Sequence, residues 1–465
     1  MRLDSTQTDR AVGVLMGQAA GDALGVPYEY GSRTLTGEPQ MLGGGLGGIA
    51  PGQWSDDTEM ALCIADVAAT GADLRTDEAQ EAIAAGFLRW YADNPPDVGV
   101  QTRQVLSASR GQGATAMRGF SERLHEQSGR TAGNGSLMRT GPVALAHLGD
   151  TDAIVEAARL TSALTHHDPV AGDACALWCL AIDHAVRTGE LDVRVGLPHV
   201  DEAYWAPLLA EAETVDPSHY RHSNGWVVAA LLGAWSAISR TDGLVAGLHA
   251  AVAGGGDTDT VAAIAGQLLG ARYGGSAVPA RYRRLLHGWP GMRSRDLARL
   301  AVLTTRGGQP ARHGWPSAPT HHYDATPTAV VVHPDDPGVL LGAIGAVRPG
   351  VADAVVSLCR MGRDEVPLAG VAPEDHVEFW LVDEVDANLD PGSVLRDAAA
   401  TVAALRAEGK TVLLHCVAMH SRTPLVAAVY GALVTGDSVR ESLDRVEAAL
   451  PVTYLNPDLL EAALA

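Results

Sequence analysis

The sequence predicts two domains of different class, a large all-α domain followed by a small α/β domain. Three observations predict it. From residue 10 to about 305, Ala and Leu dominate runs of about 12–20 residues that Gly or Pro punctuates, and β-branched alternation is scarce. The next stretch, "RGGQPARHGWPSAPTHHYDATPT" at 306–328, has no apolar period. After it, short β-branched runs alternate with helix-like stretches. A chain of 465 residues is also longer than one ordinary core spans. The predicted boundaries are 1–305 for the helical domain, 306–326 for a linker and 327–465 for the α/β domain.

Each element follows from its local pattern. The N-terminus "MRLDSTQTDR" lacks the apolar stretch of a signal peptide, and no apolar run reaches the roughly 18–20 residues of a membrane span. Helices are expected at "EMALCIADVAATGA", "DAIVEAARLTSALTHH" and "NGWVVAALLGAWSAIS". Cys175 and Cys179, four apart in such a run, suit core packing, and five cysteines without a repeated pair suit a reducing compartment. In the α/β domain, strands are expected at "AVVVH", "DAVVSLC", "HVEFWLVD" and "TVLLHC", with helices at "DAAATVAALRAEG" and "ESLDRVEAAL". The net charge of −21 argues against nucleic acid as a general partner and against an anionic membrane. A soluble, cytoplasmic protein is the expectation.

Two stretches of the helical domain are built alike. "GQWSDDTEMALCIADVA" (52–68) and "GGGDTDTVAAIAG" (254–266) each run from glycine through acids and a hydroxyl into an apolar helix. One reading is capping: Ser55, Asp257 or Asp259 as N-caps, with Asp56, Asp57 and Glu59 on the positive end of the helix dipole. The other is a cation site. Aspartates one or two residues apart repel unless a proton or cation compensates them, and carboxylate and hydroxyl oxygens suit Mg²⁺ or Mn²⁺. One cluster supplies half of an oxygen-lined site, and two supply a dinuclear one. Three further stretches stand out: "GQAAGDALGVPYEY" (17–30), "GNGSLMRTGPVALAH" (133–147) and "THHDP" (165–169).

In this order, "GDALG…E", "SDDT", "NGSLMR", "THHDP" and "GGDTDT" resemble the ADP-ribosylglycohydrolase family, dinitrogenase reductase-activating glycohydrolase among its members, over about residues 8–300. The resemblance implies an all-α fold with two Mg²⁺ or Mn²⁺ ions. Its ligands would be Ser55, Asp56 and Asp57 with Asp257, Asp259 and Thr260; many members have Thr at the place of Ser55. It implies that Glu29 sits on a segment near the site and that Asn134, Gly135, Ser136 and Met138 bind ADP-ribose. Ala229 stands where an acid is expected after Trp226. The implied activity is hydrolysis of the N- or O-glycosidic bond at ribose C1″ of an ADP-ribosylated protein or small molecule, with ADP-ribose as product. Asp56 or Asp57 would relay the proton, with Glu29 as a lesser candidate. His166 and His167 are open between satisfied histidines near a helix end and ligand contacts.

The C-terminal domain carries "TVLLHCVAMHSRTPLVAAVYGALVTG" (411–436), a strand, a loop and a helix, with Cys416 and Arg422 separated by five residues. Inward backbone N–H groups at a helix N-terminus make an anion nest and favour a thiolate at Cys416. Arg422 can fork two phosphoryl oxygens, and Thr423 can hydrogen-bond the sulfur. The stretch resembles the protein tyrosine phosphatase superfamily in its compact dual-specificity form, over about 327–465. That resemblance implies a general-acid Asp upstream in "LVDEVDANLDP": Asp383, with Asp386 second. Met419 stands where the superfamily has Gly. A phosphatase recruited by a non-hydrolytic ADP-ribose-binding domain is the alternative function.

Overall fold

The computed structural model describes residues 2–109, 111–324 and 326–465. Met1, Arg110 and Ala325, the last within the stretch read as a linker, lie outside the described residues. The chain divides into two compact units. One comprises Met1–Val278 with Leu285–Gln309, and the other Pro279–Arg284 with Pro310–Ala465.

The first unit is helical. Its centre is a pair of helices, α1 (Ser5–Gly25) and, late in the chain, Thr258–Tyr273. A capping box of Asp4 and Gln7 starts α1, and from Ala11 to Gly25 every residue is buried. Thr258 to Ala271 are likewise all buried. Helices that are small and apolar all round belong inside, because no face asks for water. Glycine sets how close the two come. Gly13, Gly17 and Gly21, one turn apart, face Gly270, Gly266 and Ala262, and a Cβ on any of the three would strike the opposing backbone carbonyl. Around this pair pack α2 (Asp56–Ala68), α3 (Pro169–Thr188) and α4 (Val227–Ser239); the glycine-paired helix Thr258–Tyr273 is α5. The Trp178 indole of α3 donates to the Ile264 carbonyl of α5 at 3.2 Å. Cys175 and Cys179 are buried in α3, and all five cysteines are free.

The second unit is built on a five-stranded sheet. Its strands are β1 (Val330–His333), β2 (Asp336–Ala343), β3 (Ala354–Ser357), β4 (His376–Glu378) and β5 (Val412–Cys416). The spatial order is β1-β2-β5-β3-β4, with β1 antiparallel to β2 and the other pairs parallel. The central strand, β5, is buried throughout and β-branched or leucine-rich, as a strand covered on both faces must be. Helices α6 (Pro391–Ala407), α7 (Arg422–Thr435) and α8 (Val439–Ala449) complete the unit. Strand β2 is absent from the sequence expectation, because Pro337 and Gly338 at its start read as a turn.

Residues 310–323 of the proline-rich stretch fold onto this same unit. Trp315 is buried edge-on against Trp380 (5.8 Å between ring centres), and the Arg360 guanidinium lies 4.4 Å over its ring. His321 bonds the Glu365 carboxylate at 2.6 Å, and the Tyr323 hydroxyl donates to the Arg360 carbonyl. Pro279–Arg284 also belongs here: Arg283 donates to the Glu378 carbonyl at 2.7 Å, and the Ala280 amide donates to Asp397 at 2.9 Å. Among the described residues, no helix is long and apolar enough to cross a membrane.

Candidate active site

Both acidic clusters of the first unit sit at helix N-termini; the residue at the N-cap position caps neither helix, while Asp259 accepts from the Thr260 amide at 3.0 Å. Ser55 is at the N-cap position of α2 and Asp257 at that of α5, and neither side chain accepts a bond from its own helix. The Ser55 hydroxyl instead donates to Asp57 Oδ2 at 2.9 Å. The capping of α2 falls to Asp22, in the last turn of α1. Its carboxylate accepts from the Ser55 amide (2.9 Å), the Thr58 amide (3.1 Å) and the Thr58 hydroxyl (2.6 Å). A carboxylate near a helix C-terminus opposes the dipole of its own helix, and here α2 supplies the compensation. The acids of the two clusters converge.

Two trios result, with ligand oxygens all within 4.8 Å: Asp22, Asp57 and Asp259, and Glu29, Asp257 and Asp259. All five residues are buried. Asp259 belongs to both trios, so the two positions are adjacent. Glu29 reaches its trio because the chain breaks after α1. Tyr30 takes a left-handed φ of 45°, its amide donates to the Gly256 carbonyl at 2.7 Å, and its hydroxyl to Asp257 Oδ2 at 3.1 Å. Asn134 also donates to Asp257 Oδ2 (2.8 Å), and the Asp257 amide donates to Asn224 Oδ1 (3.0 Å). The Thr260 hydroxyl is 3.4 Å from Asp57 Oδ2. Asp56 stands outside both trios; its Oδ2 accepts from the Gly99 amide at 3.2 Å.

Burial, with repulsion from neighbouring acids, raises Asp56, Asp57 and Asp259 well above the carboxylate range and Glu29 to about 8; burial pushes Asp22 up to about 6 against the hydrogen bonds it accepts. One oxygen, Asp57 Oδ1, is buried with no hydrogen-bond partner. An acceptor-only atom left bare among like charges fits a cation better than any group on the chain. The donor set, all hard oxygen, fits Mg²⁺ or Mn²⁺.

A cleft of about 390 Å³ opens over the acids, lined among others by Glu29, Asp56, Asn134, Gly135, Met138 and His166. Buried amides fix one wall: Gln18 of α1 and Gln267 of α5 both donate to the Met138 carbonyl, at 3.1 and 2.6 Å. Ser136 is buried behind that wall, where its hydroxyl accepts from the Cys175 thiol. His166 is buried beneath the cleft, whereas His167 is partly exposed and faces Glu122 at 3.9 Å. Ala229 is buried inside α4, and Trp226 at its start is exposed. The sequence expectation omitted Asp22; its only local mark is an acid in the last turn of an apolar helix, and the helix that compensates it lies more than 30 residues on.

In the second unit, Cys416 ends β5 and Arg422 begins α7. Arg422 donates to the carbonyls of Leu358 (3.0 Å) and Leu381 (2.9 Å) and pairs with Asp383 at 3.5 Å. Ser421 donates to the same Asp383 at 2.9 Å. The Thr423 hydroxyl is buried without a partner. Met419 takes a left-handed φ of 63° and is buried in the core. Asp386 sits in a turn, its amide bonded to Asp458.

Comparison with known proteins agrees with the first unit. The family model described as ADP-ribosylglycohydrolase matches residues 3–311. The chain is 32% identical to an ADP-ribosylarginine hydrolase of Pseudomonas putida, over 59% of this chain and 73% of that one. It is 29% identical to the ADP-ribosyl-[dinitrogen reductase] glycohydrolase of Rhodospirillum rubrum, over 58% and 88%. Among solved structures, one titled ADP-ribosylglycohydrolase-related protein complex is 29% identical, covers 65% of this chain and 99% of its own, and has a TM-score of 0.50.

Proposed function

Because this chain belongs to the ADP-ribosylglycohydrolase family and is a glycosidic hydrolase, we propose that its first unit removes ADP-ribose from modified proteins using two divalent ions. The observation that carries this reading is the pair of carboxylate trios sharing Asp259, with Asp57 Oδ1 of one trio buried and unpartnered. Asp22, Asp57 and Asp259 would hold one ion, and Glu29, Asp257 and Asp259 the other. Bound there, Mg²⁺ or Mn²⁺ would supply Lewis acidity and lower the pKa of a water. The chain does the rest. Asn134 is fixed between the Asn224 carbonyl and Asp257, so its segment is rigid where the ribose would lie. Asp56 suits proton transfer better than Asp57. It lines the cleft, lies outside both trios, and with Oδ2 on the Gly99 amide keeps Oδ1 for a proton. Asp56 takes a proton from the attacking water as the C1″–O bond forms. The bond from C1″ to the modified side chain breaks, its electron pair stays on the leaving atom, and Asp56 passes the proton on to that atom. ADP-ribosylated arginine is the first linkage to assay, given the Pseudomonas putida relative.

A second reading concerns Cys416. Cys416 ends a strand and Arg422 opens the next helix, the order an anion nest would need, and the unpartnered Thr423 hydroxyl would suit a contact to the sulfur. A phosphatase cycle would form an S–P bond at Cys416 as the P–O bond breaks, with Asp383 giving the leaving oxygen its proton. Water then releases phosphate. The test separates both readings in the intact protein. ADP-ribosyl hydrolysis should require Mg²⁺ or Mn²⁺, vanish in EDTA and survive Cys416→Ser. Release of phosphate from an aryl phosphate or phosphorylated nucleotide should survive EDTA and vanish in Cys416→Ser. Hydrolysis of ADP-ribosyl-arginine at full rate in EDTA would remove the dinuclear reading.

A further inference from the structure

Arg139 is fully buried below the cleft, and its partners carry no formal charge. Its Nη2 donates to Thr165 Oγ1 at 2.7 Å, its Nη1 reaches Met60 Sδ at 3.5 Å, and its guanidinium lies 4.4 Å over the Phe87 ring. Thr165 Oγ1 is also 2.8 Å from His166 Nδ1. The donor inventory decides how these protons run. A guanidinium can donate and never accept, so Arg139 takes up a lone pair of the Thr165 hydroxyl. That hydroxyl has one proton, and among the described residues its one remaining partner is His166 Nδ1. Nδ1 therefore accepts. Burial, reinforced by the nearby Arg139 charge, pushes the pKa of His166 down to about 3, so the ring is neutral. A neutral imidazole that accepts at Nδ1 carries its proton on Nε2.

The Nε2 edge lies under two glycines. A Cβ at Gly135 would stand 3.0 Å from Cε1 and 3.2 Å from Nε2, and one at Gly133 3.2 Å from Nε2. Their missing side chains leave this edge open where His166 lines the cleft.

We propose that Arg139 and Thr165 are positioning residues that lock His166 in its Nε2–H form, a fixed donor to a substrate oxygen that has no proton of its own to give. This rests on the cleft being the substrate site. A diphosphate or ring oxygen of the ADP-ribosyl group fits the requirement. With the proton on Nε2, His166 neither serves as a base nor ligates a cation through that atom.

The test reads the tautomer first. Nitrogen NMR of His166 in the intact protein should show a protonated Nε2 and a bare Nδ1, unchanged from pH 5 to 8, in wild type and in Thr165→Ser. Thr165→Val keeps the shape and removes the hydroxyl. It should give mixed tautomers and a KM for ADP-ribosylated substrate raised about tenfold, with kcat within about twofold; Thr165→Ser should restore both. Gly135→Ala should raise KM while the tautomer stays fixed. A wild-type ring protonated at Nδ1, or titrating within that pH range, overturns the proposal even if Thr165→Val fails to fold. Mixed tautomers with unchanged KM also overturn it. If no ADP-ribosyl substrate is turned over, calorimetry with ADP-ribose takes the place of KM. A missing heat in wild type then removes the function reading, while the NMR result still judges the lock.

Discussion

Asp259 is shared by both carboxylate trios, so its loss strikes the site twice. Asp259→Asn should lower turnover by at least about a hundredfold, the upper range for even a supporting residue around a metal. The same change removes a buried like charge. The metal-free variant should therefore melt above wild type, by about 2–4 °C per kcal/mol of repulsion relieved, and should lose the rise in Tm that Mg²⁺ gives wild type. Differential scanning fluorimetry with and without EDTA checks both. The pH dependence has a definite sign. Glu29 and Asp22 have folded pKa values of about 8 and 6, raised from 4.5 and 3.8. The fold holds their protons more tightly than the unfolded chain does. Their contribution is complete below the unfolded values and is lost as pH climbs through about 6 and then 8. In EDTA, Tm should fall over that window, and Glu29→Gln should flatten its upper part. Met419 poses a contest of magnitudes. Its left-handed φ costs a non-glycine residue about 1–2 kcal/mol, whereas burying its side chain contributes about 1.5–3 kcal/mol. Burial wins, so Met419→Gly should destabilise slightly. Met419→Ala, which keeps the strain and loses the burial, should destabilise more, as denaturant midpoints would show. The acid clusters were legible in the sequence because adjacent aspartates are locally costly. Asp22 was not, because its compensation comes from a helix more than 30 residues away.

At the scale of elements, glycine determines whether α1 and α5 can touch. Gly21→Ala puts a methyl group against the Ala262 carbonyl, which no rotamer change relieves. The gain in helix propensity is about 1 kcal/mol and the cost of overpacking about 1–3 kcal/mol or more. Net loss of stability is expected, with loss of turnover because Asp22 is the next residue. Gly119→Ala, in the helix Ala114–Ser128, meets at most the flexible end of Arg123, so it should be neutral or slightly stabilising. Urea unfolding of the two variants side by side tests the contrast. Strands β1, β3, β4 and β5 were readable as β-branched runs. Strand β2 was not, because the hairpin with β1 and the pairing with β5 are tertiary facts that override Pro337 and Gly338.

At the scale of the whole molecule, the chain visits its second unit twice, first through Pro279–Arg284 and then from Pro310 onward. A fragment of residues 310–465 lacks the first visit. Asp397 would lose the Ala280 amide and the Arg283 guanidinium, and the Glu378 carbonyl its donor. Those partnerships tie β4 and α6 to the segment. Hydrogen exchange along β5 should therefore be faster in the fragment than in the full chain; equal rates would show that the segment adds nothing. The proline-rich stretch teaches the same lesson. Its composition says linker, while Trp315 against Trp380 and His321 on Glu365 are partnerships no local pattern announces. The paired glycines of α1 and α5 carry one last consequence. Because they recur every four residues, the smooth seam would tolerate a slide of four residues, about 6 Å, and still fit. Glycine thus meters the gap between the helices but not the position along it. That position is held by polar groups: the Thr258 hydroxyl donates to the Gly25 carbonyl at 2.8 Å, and Gln18 and Gln267 share the Met138 carbonyl, acting as detents of the slide. The spacing of the acids thus has two origins, the helix seam and the cleft side chains Tyr30 and Asn134 that hold Asp257, so a change at either residue to suit another substrate would also shift the place where an ion would sit.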